Sequence, residues 1–207
     1  MRQILLFGGS SGIGLSTAGL LSMNGYQVTT PTRNEVDLLD LDQIDSLAMS
    51  HYDVVINCAA VNTGTYLGFY NNSTKCQIDQ ITVNFIAPIL LAKNYSRSNP
   101  SGHFVYISST SIDTPYLYNI INSTSKAALM YAMNVLRREL PNFIVSEICP
   151  GKTKTNMLKQ NYNGTKSDEE IQAEYESYPY LTPLQVAKSV LFAVKNQIDV
   201  VKLTPYE

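Results

Sequence analysis

Two stretches carry residue types that could do chemistry. The first is "FGGSSGIG" (residues 7–14), which follows the apolar run "QILLF" and opens a helical segment. Gly8 permits a tight turn, and Gly12 and Gly14 let a pyrophosphate approach the backbone and the helix pack on the strand. Free N–H groups at a helix start, here around Ser10, Ser11 and Ile13, attract an anion. The second is "NSTSKAAL" (122–129). Asn122 and Lys126 are four apart, so one turn of helix sets both on one face. An ammonium there can hold hydroxyls. An asparagine can donate a hydrogen bond but cannot release a proton near neutral pH.

The elements that must position these groups read as an alternation. Strand-like runs stand at 3–7, 26–30, 52–60, 103–109, 143–149 and 200–204, with helix-length segments between them at 14–23, 40–50, 77–98, 123–140 and 184–196. Strands alternating with helices imply right-handed crossovers and a mostly parallel, doubly wound sheet in a three-layer αβα sandwich. Thr182 with Pro183 and Gln185, and Ser167 with Glu170, mark two helix starts. Residues 156–180 look like an irregular polar insertion. After a late strand such a segment lies beside the ligand crevice and is a candidate lid. No repeat or linker breaks the chain, so 1–207 reads as one domain.

The totals narrow the function. The chain has 207 residues, 44% hydrophobic and 15% charged, with net charge −2 and no basic block. That disfavours nucleic acid or an anionic membrane as partner. No apolar run is long enough to span a bilayer, and the apolar start is too short for a signal core. A cytoplasmic, reducing setting is expected. There the sequons at Asn72, Asn94, Asn122 and Asn163 are silent, and Cys58, Cys76 and Cys149 read as buried small apolar residues. With only two histidines, His51 and His103, the composition argues against a histidine metal site.

The spacing Gly8-x-x-x-Gly12-x-Gly14 resembles the glycine motif of short-chain dehydrogenase/reductases, with Phe7 where the family usually has threonine. "INCAA" (56–60) resembles the family's N-N-A-G segment at Asn57 and Ala59, with Cys58 and Ala60 departing from it. Asn84 in "TVNFIAP" matches the asparagine whose main chain, in the family, holds a water leading to the lysine; a helix-kink asparagine is the alternative. "VYISSTS" matches the strand with the serine pair, and Ser109 is the one that would bond the substrate oxygen. "ICPGKTKTNM" matches P-G-x-x-x-T-x-M, so Pro150 and Gly151 would turn at the nicotinamide while Thr153 and Thr155 bind carboxamide and phosphate.

The resemblance implies a nicotinamide cofactor and a small-molecule substrate. Thr32, Arg33 and Asn34 stand where NAD-preferring members keep an acid. A guanidinium pairs with a 2′-phosphate, so NADP(H) is favoured over NAD(H), unless Arg33 is only a solvated charge. Asp37 and Leu38 look like the adenine-contacting pair, or a surface acid and its neighbour. The family's Tyr-x-x-x-Lys becomes Asn122-x-x-x-Lys126. Its phenol gives or takes the substrate's proton, an effect worth about 10²–10⁴ in rate. Three outcomes stay open: another acid supplies the proton (Tyr116, Tyr118, Tyr162, or Lys126 through water), the substrate needs none, or the chain binds cofactor without chemistry as a sensor or partner-binding module. Tyr162-x-x-x-Lys166 reads as chance. The segments 77–98 and 122–140 could pair between copies as in the family's dimers and tetramers, although the short tail to Glu207 weakens the tetramer. "YESYPY" (175–180) hints at an aromatic mouth.

Overall fold

A computed structural model describes residues 1–67, 70–114 and 116–205. The end of the tail at Glu207 lies outside them. Six strands form one sheet: β1 (Gln3–Phe7), β2 (Gln27–Thr29), β3 (Val54–Asn57), β4 (His103–Ile107), β5 (Ile144–Pro150) and β6 (Val200–Leu203). The order is β2-β1-β3-β4-β5-β6, and every pairing is parallel. The sheet is therefore wholly rather than mostly parallel.

Alternation along the strands builds the two cores. Leu5, Phe7, Val55, Phe104, Tyr106 and Val145 face one side. There they meet α4 (Ala87–Ser98) and α5 (Ile120–Glu139) through Leu91, Tyr95, Leu129 and Met133. Their neighbours Ile4, Leu6, Val54, Ile56, Val105 and Ile148 face the other side. These pack on α1 (Gly12–Met23) and α8 (Pro183–Asn196) through Leu21, Val186, Val190 and Val194. Side chains of period two, buried on both faces, are what a covered parallel sheet requires.

The chain leaves β1 for β2 on one side and returns to β3 on the other. The carboxyl ends of β1 and β3 therefore flank a crevice at the point where strand order reverses. Gly8 and Ala59 stand at those two ends.

Three expectations need correcting. The segment 77–98 is not one regular helix. α3 (Thr74–Ile81) passes through a π-helical turn at Thr82–Ile86 into α4. The bulge brings Asn84 inward, where its amide bonds the Val61 main chain on both sides, accepting at 2.9 Å and donating at 2.7 Å. A polar group buried at 0% exposure needs such partners. Second, residues 156–180 are not irregular: they fold as α6 (Met157–Tyr162) and α7 (Asp168–Ser177). The capping boxes of Ser167 with Glu170 and Thr182 with Gln185 both form. Third, Cys149 is buried, whereas Cys58 and Cys76 are only half-buried. The helix at α2 (Leu41–Asp45) is short and capped by Asp40.

Candidate active site

A cleft of about 820 Å³ runs along the carboxyl ends of the strands. Its floor is the glycine turn. Gly8 has φ +80, and a Cβ there would lie 2.6 Å from the Ala59 nitrogen. A Cβ on Gly14 would lie 2.0 Å from the Gly8 carbonyl oxygen. Strand end, turn and helix start are thus in contact at positions only glycine can fill. Ser11 stands at the N-cap of α1 with no side-chain capping bond, and the first turn holds no acid. Its unfilled N–H groups suit an anion. Ser10, Ser11, Gly12 and Ile13 all line the cleft. Thr155 faces this turn, its methyl 3.2 Å from where a Gly12 Cβ would be.

At the end beside β2 the wall carries Thr32, Arg33, Asp37 and Leu38, but not Asn34. Arg33 Nε pairs with Asp37 Oδ1 at 3.5 Å, both well exposed. Asp37 Oδ1 also accepts from Leu39 N at 3.0 Å, so this acid is a partner of arginine and loop backbone. The sequence reading missed Glu35. Its carboxylate accepts from Thr32 N–H at 2.7 Å and Thr32 hydroxyl at 2.8 Å, bonds that hold it below the usual carboxylate range.

After β3, Cys58, Ala59, Ala60 and Val61 line the cleft. Asn57 does not reach it; the side chain is buried and accepts from Ala59 N at 3.2 Å. Asn84 also stays off the wall and shapes it through Val61. Burial pushes the Cys58 thiol up to about 12, so it is no ready nucleophile.

Ser109, Asn122 and Lys126 all line this cleft. Ser109 caps a 3-10 turn (Thr110–Ile112), its hydroxyl accepting from Ser111 N at 3.1 Å. Asn122 and Lys126 lie one turn apart on α5, 9% and 5% exposed. The Lys126 Nζ donates to the Ile107 carbonyl at 2.8 Å. Burial pulls its pKa down to about 8, which makes it a group able to exchange a proton near neutral pH. The Asn122 amide has no side-chain hydrogen-bond partner among the described residues. Tyr116 and Tyr118 also reach the wall, and Tyr118 holds φ 62, a sparsely populated conformation for a bulky residue.

The far wall is the turn after β5. Pro150, Gly151, Thr153 and Thr155 all line it. The Gly151 N–H bonds Leu203 O at 2.8 Å, and the Thr153 hydroxyl donates to Gly151 O at 2.9 Å. Residues 152–154 then zip to Leu181, with Leu181 N to Lys152 O and Lys154 N to Leu181 O both at 2.8 Å. The helix α6 reaches the segment after β3, where Gly64 N bonds Gln160 O at 3.0 Å and Tyr66 packs against Tyr162 at 4.6 Å, while α7 bonds the Thr155 carbonyl through the Tyr175 hydroxyl. Tyr162 is removed as a candidate acid. Its hydroxyl donates to Glu174 at 2.7 Å, and the residue is not on the wall. Lys166 turns to the same carboxylate at 3.0 Å, so the Tyr162–Lys166 spacing is indeed unconnected with the cleft. Sequence reasoning also missed Asn62, Lys152, Gln160 and Asn161 on the wall. Only chain packing brings them there, and no local motif announces them.

The family model described as short chain dehydrogenase matches residues 41–166, more than half of the chain. The chain belongs to the short-chain dehydrogenase/reductase family. Among curated relatives, an L-xylulose reductase of Caenorhabditis elegans is 25% identical, with 94% of this chain and 89% of that protein aligned. An uncharacterised oxidoreductase of Staphylococcus haemolyticus is 24% identical, with 96% and 93% aligned. The short-chain dehydrogenase fold recurs in solved structures. A small-chain dehydrogenase in complex with NADPH superposes at TM-score 0.84 with 21% identity, covering 99% of this chain and 97% of that one. Actinorhodin polyketide ketoreductase with NADPH gives TM-score 0.82 at 20% identity, covering 99% and 96%. Among the described residues, no helix of this dehydrogenase-family chain is long and apolar enough to cross a membrane, and no cluster could hold a metal ion.

Proposed function

We propose that this chain is an NADP(H)-dependent oxidoreductase acting on a small carbonyl or alcohol, with a proton donor other than the family's tyrosine. One observation carries the reading: a glycine-only anion cradle at the switch point of the sheet opens into the same cleft as Ser109, Asn122 and Lys126. The NADPH complexes among the structural neighbours support the cofactor class. The cofactor, when bound, supplies a hydride to the carbonyl carbon. Gly8, Ser10, Ser11, Gly12, Ile13 and Gly14 would hold its pyrophosphate. Leu38 and Ala59 would flank the adenosine, and Pro150, Gly151, Thr153 and Thr155 the nicotinamide side. Asn34 and Asn57, both off the wall, would act at most through the loops they belong to.

Ser109 would orient the substrate oxygen, with the Asn122 amide as a second donor. The proton would come from Lys126, whose buried ammonium sits near its titration point, or from Tyr116 or Tyr118 at the mouth. Lys126 also binds ribose hydroxyls in this reading, and Asn84 acts by fixing Val61. The helices at 157–177 serve as the substrate lid within a single domain. Ile78, Ile81, Tyr131 and Val135, exposed on α3 and α5, support pairing of two copies. A second reading, a cofactor-binding sensor without chemistry, draws on the absence of an ionisable group at position 122.

Fluorescence titration with NADPH and NADH tests the cofactor choice. NADPH is expected to bind at least about tenfold more tightly, since a charged bidentate contact is worth that factor. Arg33→Ala should bring the two affinities close together. Equal affinities unmoved by Arg33→Ala would refute the preference.

A further inference from the structure

The cleft wall carries five formal charges among the described residues: Arg33, Asp37, Asp79, Lys126 and Lys152. Four have a partner within the protein, and two of these, Arg33 and Lys126, serve the cofactor in the reading above. Arg33 pairs with Asp37, and Asp79 pairs with Lys75 at 2.6 Å. Lys126 is buried on the Ile107 carbonyl. Lys152 is exposed, as Arg33 is, but has no carboxylate within ion-pair distance among the described residues. Glu174, whose carboxylate feels the Lys152 charge, is occupied by Lys166 at 3.0 Å and Tyr162 at 2.7 Å.

The Lys152 ammonium is nevertheless placed. Its backbone is pinned by the bond from Leu181 N. Its Nζ lies 4.4 Å from the Tyr178 ring centroid, 5.9 Å from that of Tyr180 and 6.0 Å from that of Tyr116. Tyr116 and Tyr180 are themselves on the wall. Aromatic faces attract a cation without neutralising it. They hold it at the mouth, between the loop after Ser109 and the end of the lid, with its charge available to a ligand.

From this we infer that Lys152 is a substrate-recognition residue: it binds a carboxylate carried by the substrate, beside an aromatic wall, while Ser109 takes the reacting oxygen. This rests on the oxidoreductase reading above. A single ammonium suits a monoanion, and tyrosine rings on either side suit a flat or apolar body attached to it.

The test uses matched aldehydes, 4-carboxybenzaldehyde and methyl 4-formylbenzoate, with NADPH and the full chain. The wild type is expected to favour the carboxylate by about tenfold in kcat/KM, as a hydrogen bond to a charged group provides. Lys152→Ala should erase that preference, Lys152→Arg should keep it, and neither should change NADPH affinity more than twofold. Saturation-transfer NMR of the same two ligands gives a readout independent of turnover. Lys152-dependent carboxylate binding without NADPH oxidation would retain the anion subsite and reject the reductase reading. Equal preference for acid and ester in both assays, or a loss of NADPH binding in Lys152→Ala, would overturn the inference. A stronger response to 4-formylphenyl phosphate than to the carboxylate would overturn the monoanion assignment.

Discussion

Asn122→Tyr is expected to raise the turnover of a simple aldehyde with NADPH by about 10²–10⁴-fold, the usual worth of positioned acid–base catalysis. The position already has what a phenol needs. Lys126 lies one helical turn away and is buried, and an adjacent ammonium lowers a phenol's pKa toward neutrality. Ser109 shares the wall. Among the described residues the Asn122 side chain gives up no hydrogen bond when replaced, and it lines a cleft of about 820 Å³. Steady-state NADPH oxidation measures the gain. A variant that folds and binds NADPH but shows no gain would mean that the pocket has left carbonyl chemistry. Asn122→Ala should lower turnover by no more than about tenfold, the worth of one orienting hydrogen bond, because the amide neither gives nor takes a proton.

Gly14→Ala is expected to abolish cofactor binding and to destabilise the chain by about 3 kcal/mol or more, the upper range for overpacking. The added Cβ would meet the Gly8 carbonyl oxygen at 2.0 Å, and the Gly8 carbonyl carbon at 2.7 Å. Both are backbone atoms, so relief requires the turn itself to move. The same substitution five residues on separates space from helix propensity. Gly19 lies inside α1, and a methyl group there would meet nothing within 4 Å. Gly19→Ala should therefore stabilise by about 0.5–1 kcal/mol. Urea unfolding with NADPH titration distinguishes the pair. Similar effects from both would show that the turn does not close on Gly8.

The sheet was legible because its strands carry unbroken apolar runs such as "QILLF" and "VVIN", bounded by glycines and polar turns. What failed was in part local chemistry overridden by tertiary contact. Pro88 is the breaker inside 77–98, because it has no N–H to give the Asn84 carbonyl; the π turn just before it also lets Asn84 bond Val61, 23 residues earlier. Of α6 and α7, only the start of α7 was marked, by Ser167 and Glu170; the rest was missed because α6 buries only Leu158 and Asn161, and α7 only Ile171. Too few apolar positions then repeat to show a helical period. At the site, linear motifs gave Gly8, Gly12, Gly14, Ser109, Asn122, Lys126 and Thr155. Asn34 and Asn57, named from the same motifs, are not among the residues that line the cleft. Lys152 escaped notice because its meaning depends on three tyrosines from two separate segments.

Hydride transfer is tested by a single turnover with NADPH carrying deuterium at both nicotinamide C4 positions, in the presence of a carbonyl panel. The alcohol products are then weighed by mass spectrometry. Deuterium is expected in at least one product above the enzyme-free background, at a rate that rises when Asn122 becomes tyrosine. Saturated NADPH binding with no deuterium in any product, in both the wild type and Asn122→Tyr, would contradict it and leave a nicotinamide-binding module without hydride transfer.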